Sequence, residues 1–126
     1  LCGSKVQIII CQYNNLTTTT MFKNVTPREA YAAYMLGSLF VDVRENIGAD
    51  AKTVDVNQII TLPFSELDQR LGELPPNRPV VVVSNVGNRG REAAKFLQAR
   101  GYADVANMEG GVAAWEREGL PIRTHA

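Results

Sequence analysis

A run of four valines constrains the fold of this chain more than any other feature. Val80–Val83 are consecutive β-branched residues, a composition typical of a strand buried on both faces inside a parallel sheet. A tight loop of six residues with two glycines follows, and then Ala93, Ala94, Phe96 and Leu97 recur at helical spacing. This order of strand, loop and helix predicts main-chain N–H groups at a helix N-terminus, a favourable position for an anion.

The residues between this strand and this helix form the candidate site. Ser84 places a hydroxyl at the entrance of the loop. The predicted anion-binding loop then consists of Asn85, Val86, Gly87, Asn88, Arg89 and Gly90. Arg89 and Arg91 add positive charge at the same place, so we expect a small anion to bind here.

The rest of the chain predicts an α/β fold. Its 126 residues and 45% hydrophobic content suit one compact domain with a substantial core. Strands are predicted at 22–25, 39–44, 58–63, 80–83 and 105–108, and helices begin near Thr26, Ser65, Gly90 and Gly111. This alternation favours a central parallel sheet of about five strands, flanked by helices on both faces and joined by right-handed crossovers. Residues 45–57 are predicted to be a loop.

Residues 1–21 differ from the rest in composition. Residues 6–11 resemble a strand, whereas residues 14–20 are polar and low in complexity. We therefore expect an N-terminal extension, either an added edge strand or a disordered arm, before a domain at residues 22–126. Cys2 and Cys11 both lie in this extension, so they provide no disulfide framework for the domain.

The overall charge excludes several classes of partner. Thirteen basic and thirteen acidic residues cancel, so no global field attracts nucleic acid or an anionic membrane. The longest aliphatic run, residues 6–11, is far too short to cross a bilayer. We expect no metal and no cofactor, and we predict a cytoplasmic location.

Three segments of this chain resemble the rhodanese-like domains of sulfurtransferases. A strand ends in Asp42-Val43-Arg44, as in that family, and Gly110-Gly111 is followed by Trp115 and then by Gly-Leu-Pro. The loop after the valine strand is the third segment, where the family has Cys-x-x-Gly-x-Arg-Ser/Thr. The resemblance covers residues 22–123 and implies a single rhodanese-like domain.

The loop departs from the family motif at its most important position. Gly87 and Arg89 fall where the motif has glycine and arginine, but Ser84 stands in place of the nucleophilic cysteine. Gly90 stands where serine or threonine is usual. The histidine that family members carry ahead of the third strand is also absent, and the chain's one histidine is His125.

This departure limits the chemistry that the resemblance implies. In an active rhodanese, the cysteine thiolate takes a sulfane sulfur from a donor such as thiosulfate and carries it as a persulfide. An alcohol without a base has a pKa many units above that of a thiol, which is about 8.5, so little alkoxide exists at neutral pH. Oxygen also cannot carry a persulfide. Serine at position 84 would therefore keep the anion-binding loop but abolish sulfur transfer.

Three hypotheses follow from Ser84. In the first, the domain is catalytically silent and binds thiosulfate, sulfate, a persulfide-bearing acceptor or a partner protein. In the second, it is a sulfurtransferase in which an engineered serine replaces the cysteine at position 84. In the third, the enzyme uses Cys2 or Cys11 from the extension, or Ser84 acts on phosphate or acyl groups. Phosphate chemistry is disfavoured, because related phosphatases have arginine six positions after the nucleophile, where this chain has Gly90.

The sequence also predicts how the site is supported. Asp42 and Arg44 are expected to form an internal ion pair that ties the strand end to the loop. Arg89 either faces a ligand or closes the loop by bonding its carbonyls or a nearby acid, Glu45 or Glu109. Trp115 is expected to pack in the core beneath the sheet.

Overall fold

The computed structural model describes residues 22–45 and 51–124. In these ranges the strands are β1 (Lys23–Val25), β2 (Leu39–Asp42), β3 (Lys52–Val54), β4 (Ile59–Thr61), β5 (Val80–Val83), β6 (Val105–Met108) and β7 (Ile122–Thr124). The α-helices are α1 (Pro27–Met35), α2 (Asn88–Ala99) and α3 (Gly111–Arg117). The predictions for residues 1–21, including Cys2 and Cys11, lie outside the described residues, as does His125.

Five of the strands form one parallel sheet in the order β1-β6-β5-β2-β4. The valine strand β5 lies at its centre, hydrogen-bonded to β2 on one side and β6 on the other. All four valines are buried. Because successive side chains point to opposite faces, the strand requires apolar cover on both, and this is why the valine run predicted its place correctly.

Helices cover both faces of the sheet, as predicted. One face packs against α2, in a cluster that includes Leu39, Val41, Val80, Val82, Ala93, Ala94 and Leu97. The other face packs against α1 and α3, in a cluster that includes Ala30, Phe40, Val81, Val83, Val112 and Trp115. The loop at the carboxyl end of β5 therefore stands on a strand that is fixed from both sides.

Helix α1 begins at the predicted capping box. The Thr26 hydroxyl accepts the Glu29 N–H at 3.1 Å, and the Glu29 carboxylate accepts the Thr26 N–H at 2.9 Å. The helix ends at Met35, just before Gly37, whose φ of 109° lies in the left-handed region. Within the described residues, none of the helices is both long and apolar enough to span a membrane.

Trp115 lies in the core, as predicted. It is 0% exposed, and its ring meets Tyr31 and Phe40 edge-on, with centroids 5.5 and 5.8 Å apart. Its indole N–H donates to the Pro121 carbonyl at 2.6 Å. Trp115 thus joins α1, α3 and the sheet.

The predicted loop at residues 45–57 is partly wrong, because it contains strand β3. This strand pairs antiparallel with β7, with Thr53 opposite Arg123, and the two strands form a small second sheet. The two strands lie about seventy residues apart in the sequence. No hairpin turn joins them, so the sequence gives no local signal for their pairing. Residues 46–50 lie outside the described ranges.

The helix predicted to begin at Ser65 is wrong. Two short 3₁₀ turns occupy this region, Phe64–Glu66 and Leu71–Glu73. The Ser65 N–H and hydroxyl both donate to the Glu45 carboxylate, at 2.7 and 2.9 Å, so this serine bonds to a distant residue instead of capping a helix. Tertiary contact overrides the local pattern here.

Candidate anion-binding site

The site is the loop that joins the carboxyl end of β5 to α2. The helix begins at Asn88, so the loop proper is residues 84–87, and Asn88, Arg89 and Gly90 are its first helical turn. The predicted six-residue loop is corrected in this respect. Gly87 makes the early start possible, because its φ of 100° turns the chain into the helix, and a Cβ there would lie 3.0 Å from the Gly110 nitrogen.

One main-chain N–H group of the loop bonds to the Ser84 side chain, and several others have no partner among the described residues. The Gly87 N–H donates to Ser84 Oγ at 2.9 Å, and Ser84 is only 2% exposed. The N–H groups of the other loop and first-turn residues make no hydrogen bond to another described residue: Asn85, Val86, Asn88, Arg89 and Gly90. The first-turn donors lie at the positive end of the α2 dipole, so they are available to an anion.

Two of the loop carbonyls are bonded to α3. The Ser84 carbonyl accepts the Val112 N–H at 2.8 Å, and the Asn85 carbonyl accepts the Ala113 N–H at 3.2 Å. Both donors lie in the first turn of α3. Because α3 satisfies these two carbonyls, neither is left as an unbonded acceptor beside the loop N–H groups.

Asp42 and Arg44 form the predicted ion pair beneath the loop. Arg44 Nη2 lies 2.8 Å from Asp42 Oδ2, and the two side chains are 4% and 1% exposed. Arg44 Nη1 also donates to the Lys52 carbonyl at 2.8 Å and to Asn85 Oδ1 at 3.5 Å. Arg44 therefore positions the loop and β3 from below, with its own charge balanced by Asp42.

Arg89 pairs with Glu45, one of the two predicted acids. Its Nη1 lies 3.4 Å from Glu45 Oε2, and its guanidinium carbon lies 5.8 Å from the centre of the Phe64 ring. Arg91 Nη2 donates to Asn88 Oδ1 at 2.7 Å. These contacts hold the two cations at the rim, and Glu45 offsets part of the positive charge that an anion would meet.

A cavity of about 870 Å³ opens beside the loop. Its lining includes Ser84, the basic Arg89, the acidic Glu45 and Glu92, and the apolar Phe64. In residues 22–45 and 51–124, the cavity included, no group of three or more His, Cys, Asp or Glu side chains is placed to hold a metal ion.

The structure gives Gly111, which the motif showed only at a helix start, a role at the loop, and it adds Asn107, which no motif singled out. Gly111 lies directly beneath the loop, since a Cβ there would lie 2.2 Å from the Ser84 carbonyl oxygen. Asn107, on β6, is 0% exposed and lies beside Gly90. A polar residue within the apolar strand sequence 105–108 was the only available signal for Asn107.

Comparison with known protein families matches residues 25–118 to the rhodanese-like domain. Among curated proteins, a sulfurtransferase of Allochromatium vinosum is 36% identical over 84 residues, which is 67% of this chain and 77% of that protein. The thiosulfate sulfurtransferase GlpE of Pseudomonas savastanoi pv. phaseolicola is 32% identical over 99 residues, covering 76% of this chain and 89% of that one.

Solved structures show the same architecture. A rhodanese-related protein from Thermoplasma volcanium superposes with a TM-score of 0.71 at 25% identity, over 81% of this chain and 98% of that one. The polysulfide-sulfur transferase homodimer of Wolinella succinogenes gives a TM-score of 0.72 at 25% identity, over 98% of this chain and 93% of that one. Both likenesses agree with the parallel five-stranded sheet described above.

Proposed function

This chain belongs to the rhodanese-like sulfurtransferase family, and we propose that it binds a small sulfur-containing oxyanion at residues 84–90 without transferring sulfur through Ser84. The single observation that carries this proposal is a set of loop N–H groups that bond to none of the described residues and lie next to a serine. The loop offers donors to an anion, while the side chain at its base lacks the sulfur that the family reaction needs.

The chemistry of position 84 supports catalytic silence. Sulfur transfer requires a nucleophile that is anionic near neutral pH and can hold a second sulfur atom, and a serine hydroxyl does neither. Ser84 Oγ already accepts the Gly87 N–H, and the described residues contain no histidine that could take its proton. The buried hydroxyl is thus a fixed part of the binding loop.

The proposed ligand contacts are main-chain donors. Asn85, Val86, Asn88, Arg89 and Gly90 supply N–H groups, whereas the Gly87 N–H is used by Ser84. Thiosulfate and sulfate are the proposed ligands, because curated relatives are named thiosulfate sulfurtransferases. Capture of a persulfide-bearing acceptor or a partner protein at the adjoining cavity, and the cytoplasmic location, stay predictions.

Sulfate titration followed by amide NMR tests the binding role. We expect shifts at residues 85–91 with a dissociation constant on the order of millimolar, because Glu45 offsets the charge of Arg89, and weaker binding at higher salt. Glu45→Gln should tighten binding a few-fold by freeing Arg89. The matched control is Glu66→Gln, which removes a partner of Arg70 outside the loop. It should leave the affinity for sulfate unchanged. Unmoved amides at 85–91 would contradict the proposal.

A second candidate is an active sulfurtransferase in which serine has replaced the cysteine. The intact loop and the named activity of the relatives favour it. In Ser84→Cys, the thiolate would attack the outer sulfur of thiosulfate, the S–S bond of thiosulfate would break, and sulfite would leave with the electron pair. Cyanide would then take the terminal sulfur as thiocyanate and regenerate the thiolate.

We expect Ser84→Cys to gain this cyanide-dependent turnover, measured as thiocyanate formation. The serine form and the control Ser84→Ala should both show the same background rate. Turnover by the serine form equal to that of Ser84→Cys would contradict the proposal of a silent domain. The codon for residue 84 in the source gene then separates a native serine from an introduced one.

A further inference from the structure

Asn107 places an amide in the interior beside the anion-binding loop. It lies on β6, in register with Val82 of β5 and with Asn24 of β1, and it is 0% exposed. Its Nδ2 donates to Asn24 Oδ1 at 3.0 Å. Its Oδ1 is buried and has no hydrogen-bond partner among the described residues. A buried carbonyl of this kind calls for an explanation.

The unpaired end of this amide faces position 84 across the space beside Gly90. A Cβ on Gly90 would lie 2.2 Å from Asn107 Oδ1 and 3.1 Å from Ser84 Oγ. The Asn107 amide thus fills the volume that a side chain at position 90 would take. Gly90 is where the family motif has serine or threonine, so the polar group next to residue 84 comes here from β6 instead of from α2.

The amide can present a donor to this space as readily as an acceptor. Asn107 and Asn24 each carry one carbonyl and one NH₂ group, so both amides can turn over and keep the bond between them. Asn24 is on the edge strand β1 and is exposed, so it has room to turn. With both amides turned, Nδ2 of Asn107 points toward residue 84 and Oδ1 is satisfied by Asn24.

We propose that Asn107 is a positioning residue for position 84. The Asn107 amide N–H donates toward an anionic group held at position 84, and it takes the place of the side chain that is missing at position 90. The inference rests on the proposed site, but not on a particular ligand. A hydrogen bond to the charged form of a group favours that form, so a thiol at position 84 should ionise more easily when Asn107 is present.

The pKa of a thiol introduced by Ser84→Cys tests this directly. It is measured from the pH dependence of iodoacetamide labelling, with each cysteine followed separately by peptide mass spectrometry. Asn107→Ala should raise this pKa by about one unit, which is an about tenfold smaller ratio of thiolate to thiol at a given pH. Asn24→Ala, the matched control, breaks the same Asn–Asn bond but leaves the Asn107 amide in place, and should shift the pKa far less.

A rescue separates this role from mere packing. In the Ser84→Cys/Asn107→Ala background, Gly90→Ser restores a hydroxyl beside position 84 and should lower the thiol pKa again. Gly90→Ala fills the same space without a polar group and should not. Thermal unfolding confirms that each variant is folded.

Three results would overturn the inference: an unchanged pKa in Asn107→Ala, a fall in pKa, which would mean that the carbonyl faces the sulfur, or equal rescue by alanine and serine. Because the thiol pKa requires neither sulfate nor turnover, failure of the proposed function is seen separately in the titration and the thiocyanate assay.

Discussion

Gly111 supports the loop of the candidate site by having no side chain. The Ser84 carbonyl oxygen would lie 2.2 Å from a Cβ at this position, and the Asn85 carbonyl carbon 2.5 Å from it. This close approach lets the N–H groups of Val112 and Ala113 take up both loop carbonyls. The φ of Gly111, 61°, is also in the left-handed region.

We therefore expect Gly111→Ala to lower the free energy of unfolding by roughly 2–4 kcal/mol, through the clash with the loop and the strained backbone. Urea denaturation measures this, and the sulfate response of amides 85–91 should be lost as well. Gly72→Ala is the control, since nothing lies within 4 Å of a Cβ there and no positive φ is involved. Similar urea midpoints for the two variants would refute the expectation.

At this scale, sequence reasoning found residues whose roles depend on close neighbours along the chain. Asp42 and Arg44 are two positions apart at a strand end, and their ion pair is present as predicted. For Arg89, whose partner is distant in sequence, the sequence left two acidic partners open, Glu45 and Glu109, and Arg89 pairs with Glu45. Asn107 was out of reach, because its position beside Gly90 depends on how β6 pairs with β5 and how α2 packs on them.

Elements with their own boundary signals were predicted well. The capping box at Thr26 starts α1, the valine run makes β5, and both are present. Helix α2 begins two residues earlier than predicted, because Gly87 and not Gly90 turns the chain into it. The motif shows both glycines but does not say which one adopts a positive φ.

Elements that depend on distant partners were missed. Strands β3 and β7 are three residues each and exist only as a pair. The 3₁₀ turn at Phe64–Glu66 replaces a predicted helix because Ser65 bonds to Glu45, twenty residues earlier. In both cases the local pattern is weak and a long-range contact decides the conformation.

On the scale of the whole molecule, one buried hydroxyl makes stability depend on alkaline pH. Tyr102 is 5% exposed, and its hydroxyl donates to the carbonyls of Leu74 at 2.5 Å and Leu71 at 3.2 Å. This contact fastens the segment after α2 to the turn that leads into β5. Burial raises the pKa of Tyr102 above its usual value, because the phenolate would lose solvation.

The sign of the pH effect follows from that raised pKa. The stabilisation is fully present below the unfolded-state value of about 10 and is lost as pH rises through the higher folded-state pKa. Tyr102→Phe should cost about 1–2 kcal/mol at neutral pH and remove this alkaline component. Urea unfolding at several pH values from neutral to strongly alkaline measures it, with Tyr31→Phe as the control. The same alkaline loss in Tyr102→Phe would contradict the assignment.

The proposed anion-binding surface consists of main-chain N–H groups more than of side chains. Substitutions at the exposed positions 85 and 86 should leave the N–H groups there in place, because the carbonyls of Ser84 and Asn85 that precede them bond to α3. The proposed affinity for an anion should therefore tolerate changes in these two side chains, which can alter which molecule reaches the loop. On the proposed reading, restoring a sulfur atom at position 84 is the one change that the loop needs for the family reaction.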